Sequence, residues 1–167
     1  MAVIIITGTP GTGKSSVAKA LKQKLGKKWL LVNDREFCKK QGIGKLDRKS
    51  GEIEVPLKAF QKMLLAFIKE RQKKGFSIIL EGHLLCEIKL PANLVVLLKC
   101  EPKLLEKRLL ERKYSQLKAL DNVFCEMIEY CKGKVLENFP EKSVLEPGNG
   151  KSIKEIAERI LKAVENS

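Results

Sequence analysis

Residues 3–16 read VIIITGTPGTGKSS, an aliphatic run followed by a glycine-punctuated turn that ends in a lysine and two serines. The turn, Gly8-Thr9-Pro10-Gly11-Thr12-Gly13-Lys14-Ser15, is a complete GxxxxGK[ST] motif. Each position has a chemical reason. Glycine tolerates backbone angles that turn successive N–H groups inward, making a concave nest for phosphate oxygens. The helix expected over residues 15–25 adds the positive end of its dipole at the same point. Lys14 is placed to reach β- and γ-phosphates, Ser15 offers a hydroxyl to Mg²⁺, and Ser16 can reach the α-phosphate. A chance glycine-rich turn would lack the strand before it and the helix after it. Both are present here, so the stretch reads as a loop that binds nucleotide phosphates.

Outward from this loop, short apolar runs alternate with helix-period segments, the pattern of an α/β fold built on a parallel sheet. Strands are expected at 3–7, 29–32, 77–80, 94–98 and 143–145, several of them nearly continuous aliphatic runs suited to burial on both faces. Leu57, Phe60, Leu64, Phe67 and Ile68 mark one helix, and Pro102 opens another that carries Leu104, Leu105 and Leu109. Val123, Phe124, Met127, Ile128 and Cys131 mark a fourth, and Ser152 with Glu155 forms a capping box before the last. All of these apolar stripes are expected to face the core. Residues 34–56 lack a clear period and contain Gly42, Gly44 and Gly51, so they read as an inserted mobile segment. Residues 108–120, dense in charge, read as a helix pair with a short hinge. The 167 residues suit one domain with two excursions.

A phosphate-binding loop calls for a carboxylate at the end of a neighbouring buried strand. Glu81, after Ile78-Ile79-Leu80, is in that position, either on the metal side of a nucleotide or as an ordinary strand-end acid paired with lysine. His83, the only histidine, follows two residues later and reads equally as a proton-handling group or as a structural one. Arginines clamp transferring phosphoryl groups, and there are six against 27 lysines. Arg108 and Arg112, four apart on one helix face, are candidates to close over the phosphates; alternatively they pair with Glu106 or Glu111 on a solvated face.

The formal net charge is +13, with 26 basic and 11 acidic side chains in residues 1–120 against 7 and 9 in the remainder. Such a one-sided field favours polyanions, or serves solubility alone. No run approaches the ~20 apolar residues of a membrane span, and the start of the chain lacks the pattern of a secretory signal. The five cysteines are scattered without a CxxC, which fits a reducing cytoplasm.

With these residues assembled, the chain resembles the adenylate kinase isoenzyme 6 family, also called the coilin-interacting nuclear ATPase family, in its archaeal form. The resemblance rests on GTPGTGKSS (8–16), on Glu81 and His83 with Cys86 after them, on RLLERKYSQLKALDN (108–122) and on Cys125-Glu126. It implies a P-loop NTPase fold of the nucleoside monophosphate kinase type, with a five-stranded parallel sheet flanked by helices. It also implies a monophosphate-binding segment at about 30–53 and a short lid at about 111–121. The implied activities are adenylate kinase, ATP + AMP ⇌ 2 ADP, and ATPase, with Mg²⁺ as cofactor. The implied setting is late rRNA processing in the small ribosomal subunit, with a platform ribosomal protein as partner and small-subunit rRNA as a further candidate contact.

By position, Gly11, Gly13, Lys14, Ser15 and Ser16 would contact ATP phosphates, and Arg112 would be the lid arginine. Gly148, Asn149 and Lys151 would flank adenine, while Glu81 and His83 would match the family's acid and histidine. Two positions depart from the family pattern. Glutamate stands at 81 where aspartate is usual, and Phe37 or Cys38 stands about where an arginine should meet the monophosphate. AMP phosphate would then rely on Arg35, Lys39 or Lys40. A metabolic nucleoside monophosphate kinase without an assembly role, and a nucleotide-gated ribosomal-protein or RNA-binding module, are the competing readings.

Overall fold

A computed structural model describes residues 1–46 and 53–165. The chain runs β1 (Val3–Thr7), α1 (Lys14–Leu25), β2 (Trp29–Asn33), α2 (Asp34–Gln41), β3 (Lys45–Leu46), β4 (Ile53–Glu54), α3 (Leu57–Lys73) and β5 (Ser77–Glu81). It continues through β6 (Leu94–Leu97), α4 (Pro102–Glu111), α5 (Gln116–Met127), α6 (Tyr130–Asn138), β7 (Val144–Leu145) and α7 (Ile153–Glu165). The main sheet is five-stranded in the order β2-β5-β1-β6-β7, every pair parallel. The sheet agrees with the sequence expectation to within a residue at each end. Glu81 is the last residue of its strand rather than the first beyond it.

Alternation along the strands divides the core into two layers. Val3, Ile5, Ile78, Leu80, Val95 and Leu97 pack toward Phe60, Leu64 and Ile68 of α3. Ile4, Ile6, Ile79, Leu94 and Val96 pack toward Val17, Ala18 and Leu21 of α1 and Ile160 of α7. All five residues of β1 are buried, as a central strand covered on both faces requires. Each fully buried Ile or Leu contributes about 1.5–3 kcal/mol, so this strand is anchored independently of anything bound at its end.

Three expectations change. Residues 34–41 are helical: Asn33 caps α2 by accepting the Glu36 N–H at 3.0 Å, and Phe37 packs edge-on against Phe60 and Phe67. Two apolar residues in one short helix are too few to show a period. Arg48 and Gly51 of that segment lie outside the described residues. The expected fourth helix is two, because Glu129 takes a left-handed conformation (φ 54°) between α5 and α6. Its stripe is core only at its two ends: Val123 is buried and Cys131 packs against the main core, whereas Phe124, Met127 and Ile128 are 61%, 64% and 54% exposed. The helix pair at 108–120 is as expected, with α4 ending at Glu111 and α5 capped by Ser115.

Candidate active site

The parallel sheet delivers the C-terminal ends of β1, β5 and β2 to one edge, in register. Ile6 lies beside Glu81, and Glu81 beside Asn33. The loop after β1 is shaped by Gly8, Gly11 and Gly13, at φ 142°, 92° and 97°. Gly13 caps α1 without any side-chain bond, and no acid occupies the first turn. The leading N–H groups of α1 are therefore not taken by a capping side chain at Gly13 or by an acid of the first turn. At Gly8 a Cβ would stand 2.3 Å from the Leu98 carbonyl oxygen, so close packing as well as φ demands glycine there.

Thr9 is the hub of the loop. Its carbonyl accepts from Lys14 Nζ and from Thr12 Oγ1, both at 2.9 Å. Lys14 Nζ also donates to the Gly8 carbonyl at 2.9 Å. Lys14 is buried, and that burial pushes its ammonium below the usual lysine range against the opposing pull of Asp34 and Glu81. The ammonium is thus parked on two loop carbonyls beside the position that phosphates would occupy.

Glu81 is 5% exposed. Its Oε1 accepts from Ser15 Oγ at 3.0 Å and from Asn33 Nδ2 at 2.7 Å. The Asn33 amide thereby does two jobs, capping α2 with its oxygen and orienting Glu81 with its nitrogen. Ser15 and Glu81 place a hydroxyl and a carboxylate side by side, the hard oxygen donors that suit Mg²⁺ when phosphates and water complete its shell. The two residues expected to hold the metal therefore fit it.

Asp34, 3% exposed, was not singled out by sequence. Its carboxylate accepts the Arg35 N–H at 2.7 Å and the Leu84 N–H at 2.9 Å, tying α2 to the loop after β5. His83 Nδ1 lies 3.9 Å from Asp34 Oδ2, and the His83 side chain is about one-third exposed. Gly82, between Glu81 and His83, passes so close to Asp34 that a Cβ would fall 1.9 Å from its Cγ. A strand-end acid after an aliphatic run, as at 30–34, was the available signal for Asp34.

The remaining sequence candidates separate. Arg108 is half-buried, with Nη1 3.4 Å from the Gly11 carbonyl oxygen and 3.6 Å from Cys100 Sγ. Arg112 is exposed at the C-cap of α4. Ser16 is exposed on the first turn of α1. Gly148, Asn149 and Lys151 follow β7, whose Leu145 pairs with Val96, so they leave the sheet at the same edge as the loop after β1. The Arg159 guanidinium pins that turn by donating to the Pro147 carbonyl at 2.7 Å.

Two thiols lie near the loop and the end of β5. Cys131 Sγ lies 3.8 Å from Thr9 Oγ1, and Cys86 Sγ donates to the His83 carbonyl at 3.1 Å. Cys131 is drawn below the ordinary thiol range chiefly by its hydrogen bond with Cys86, which is itself pushed up by the same contact. No pattern in the sequence links these positions to residues 8–15, because the connections are made only by folding.

A family model described as an AAA domain matches residues 4–129. The chain is 37% identical over 163 residues to a Pyrococcus furiosus protein named "Putative adenylate kinase", covering 97% of this chain and 83% of that one. A Thermococcus gammatolerans protein of the same name is 36% identical over 164 residues, with 98% and 85% covered. Among solved structures, Candida albicans thymidylate kinase aligns with a TM-score of 0.63 at 17% identity, covering 99% of this chain and 91% of that one. Shikimate kinase from Acinetobacter baumannii gives 0.61 at 18%, with 99% and 94% covered. These two similarities establish the fold: a P-loop, nucleoside monophosphate kinase-like sheet flanked by helices. By the loop at its first strand and by similarity along nearly its whole length, this chain belongs to the adenylate kinase-like P-loop family of those archaeal proteins.

Proposed function

We propose that this protein is a Mg²⁺-dependent adenylate kinase, ATP + AMP ⇌ 2 ADP, with an accompanying ATPase activity. The observation that carries the reading is the meeting of Lys14, Ser15 and Glu81 beneath the loop at 8–15, on a buried sheet edge. Loop amides bind the triphosphate, and Lys14 leaves the Gly8 and Thr9 carbonyls for the β- and γ-phosphates. Ser15 and Glu81 would hold Mg²⁺, which when bound neutralises charge developing on the phosphates. His83 orients the proton of the attacking group, and Arg108 and Arg112 close over the phosphates from α4. Gly148, Asn149 and Lys151 flank adenine.

The name borne by the archaeal relatives supports AMP as acceptor. The second reading, an ATPase with weak AMP turnover, is favoured by one feature. Phe37 and Cys38 are buried in the core, and the cations that α2 exposes for a monophosphate are Arg35, Lys39 and Lys40. A role in small ribosomal subunit maturation, through a platform ribosomal protein and with rRNA nearby, is supported by the resemblance of 8–16, 81–86 and 108–126. The positive charge of residues 1–120 agrees with it. Under this reading the monophosphate segment spans 30–53 and the lid 111–121.

The deciding assay measures ADP release from ATP with and without AMP, each with and without purified small-subunit ribosomal proteins. AMP-dependent release that falls at least about 100-fold in Lys14→Ala supports the kinase. Release that ignores AMP but responds to ribosomal protein supports the ATPase. No release under any condition overturns both and leaves a nucleotide-gated binding module.

A further inference from the structure

Glu126 lies near the C-terminal end of α5, yet its carboxylate ends in the phosphate-binding loop. Oε2 accepts the Thr9 hydroxyl proton at 2.5 Å, and Oε1 accepts the Cys100 N–H at 2.8 Å. We propose that Glu126 is a positioning residue that ties the phosphate-binding loop to the α4–α5 hairpin, so that the loop is held in its triphosphate-binding shape only while the hairpin is docked. The inference rests on the reading of this loop as an ATP site.

Three independent contacts make the hairpin and the loop one unit. The first is the Glu126 carboxylate. The second is Arg108, whose Nη1 meets the Gly11 carbonyl oxygen at 3.4 Å and Cys100 Sγ at 3.6 Å. The third is packing: a Cβ at Gly11 would stand 2.8 Å from Leu105 Cδ1 and 3.1 Å from Leu109 Cδ2. Leu105 and Leu109 belong to a small separate core with Cys100, Ala119 and Val123, apart from the two layers on the main sheet. The hairpin thus has its own core, and it leans on the loop rather than on the sheet.

Of the three, Glu126 acts on the residue that organises the loop. Thr9 is fully buried, and its carbonyl takes both the Lys14 ammonium and the Thr12 hydroxyl. Rotation of the Thr9 peptide would therefore break the Thr12 bond and one of the two bonds that Lys14 makes, and re-aim the N–H groups of the loop. Without Glu126, among the described residues, the Thr9 hydroxyl keeps the weak contact to Cys131 at 3.8 Å, and the Cys100 N–H loses the Glu126 acceptor. Hydrogen bonds to a charged acceptor are the stronger kind, which suits a carboxylate for this tether.

The test compares Glu126→Ala, Glu126→Gln, Thr9→Val and the Glu126→Ala/Thr9→Val double variant. Readouts are KM for ATP, kcat, ATP affinity by calorimetry, and amide exchange of residues 8–13. For Glu126→Ala, KM for ATP rises about tenfold while kcat stays within about threefold, and loop amides exchange faster. Glu126→Gln restores KM, since its amide oxygen accepts from Cys100 and its NH₂ donates to Thr9 Oγ1. The double variant is no worse than the more affected single one. Unchanged KM and exchange in Glu126→Ala, an additive double variant, or a fall in kcat with KM fixed would each overturn the tether. If Glu126→Ala does not fold, Thr9→Val decides alone, because it breaks the bond without stranding the Cys100 N–H. If the wild type does not turn over ATP, the kinase reading fails separately, and affinity and exchange still judge the tether.

Discussion

Gly82→Ala puts the geometry of the site to a direct test. An alanine Cβ at this position would stand 1.9 Å from Asp34 Cγ and 2.0 and 2.4 Å from its two carboxylate oxygens. Alanine has no rotamer to escape with, so the Asp34 carboxylate must leave. It then gives up the Arg35 N–H at 2.7 Å and the Leu84 N–H at 2.9 Å. Hydrogen bonds to a charged group are worth about 1.5–3 kcal/mol each, so the loss is about 3–6 kcal/mol. That is a large share of the roughly 5–15 kcal/mol that stabilises a domain. The assay is urea unfolding followed by the fluorescence of Trp29, the single tryptophan, at the start of β2. Asp34→Gly loses the same two bonds by another route, so Gly82→Ala added to it should cost at most about 1 kcal/mol more. A Gly82→Ala protein within about 1 kcal/mol of wild type, or full additivity in the double variant, would refute the interlock.

Lys14 gives a pH signature. Burial holds its folded-state pKa below the unfolded value, so the folded state binds fewer protons between the two, and wild-type stability rises with pH across that window. Measured against Lys14→Met, the wild type should gain unfolding free energy as pH climbs toward 10.5; a flat difference contradicts it. Cys131, the one thiol drawn downward while Cys38, Cys86, Cys100 and Cys125 are pushed up, should be alkylated first by iodoacetamide at pH 7.5. Peptide mass spectrometry reads the order, and prior labelling of Cys125 would contradict it.

Some features are local enough to read along the chain. The loop at 8–15 and the strand before it need only glycine geometry and aliphatic periodicity, and both stand where expected. Glu81 ends its strand because a buried parallel strand points its last residue at the common edge. The short helix α2 escaped because its stability comes from one cap at Asn33 and from Phe37 packing on Phe60 and Phe67, not from a repeating face. The stripe at 124–128 misled for the converse reason. Period is a property of sequence, whereas burial depends on whether another element arrives to cover the face, and here Phe124 and Met127 stand exposed.

What the amino-acid order alone determined was the phosphate-binding turn, the alternation that makes a parallel sheet, and the acid and histidine at the end of β5. Hydrogen bonding along a few residues and the period of apolar side chains are enough for those. Tertiary structure decided which groups share the site: Asn33 and Asp34 around Glu81 and His83, and Glu126 and Cys131 under Thr9, more than a hundred residues away. Those partners are set by sheet register and helix docking, so they exist only once the strands are paired and the α4–α5 hairpin is in place.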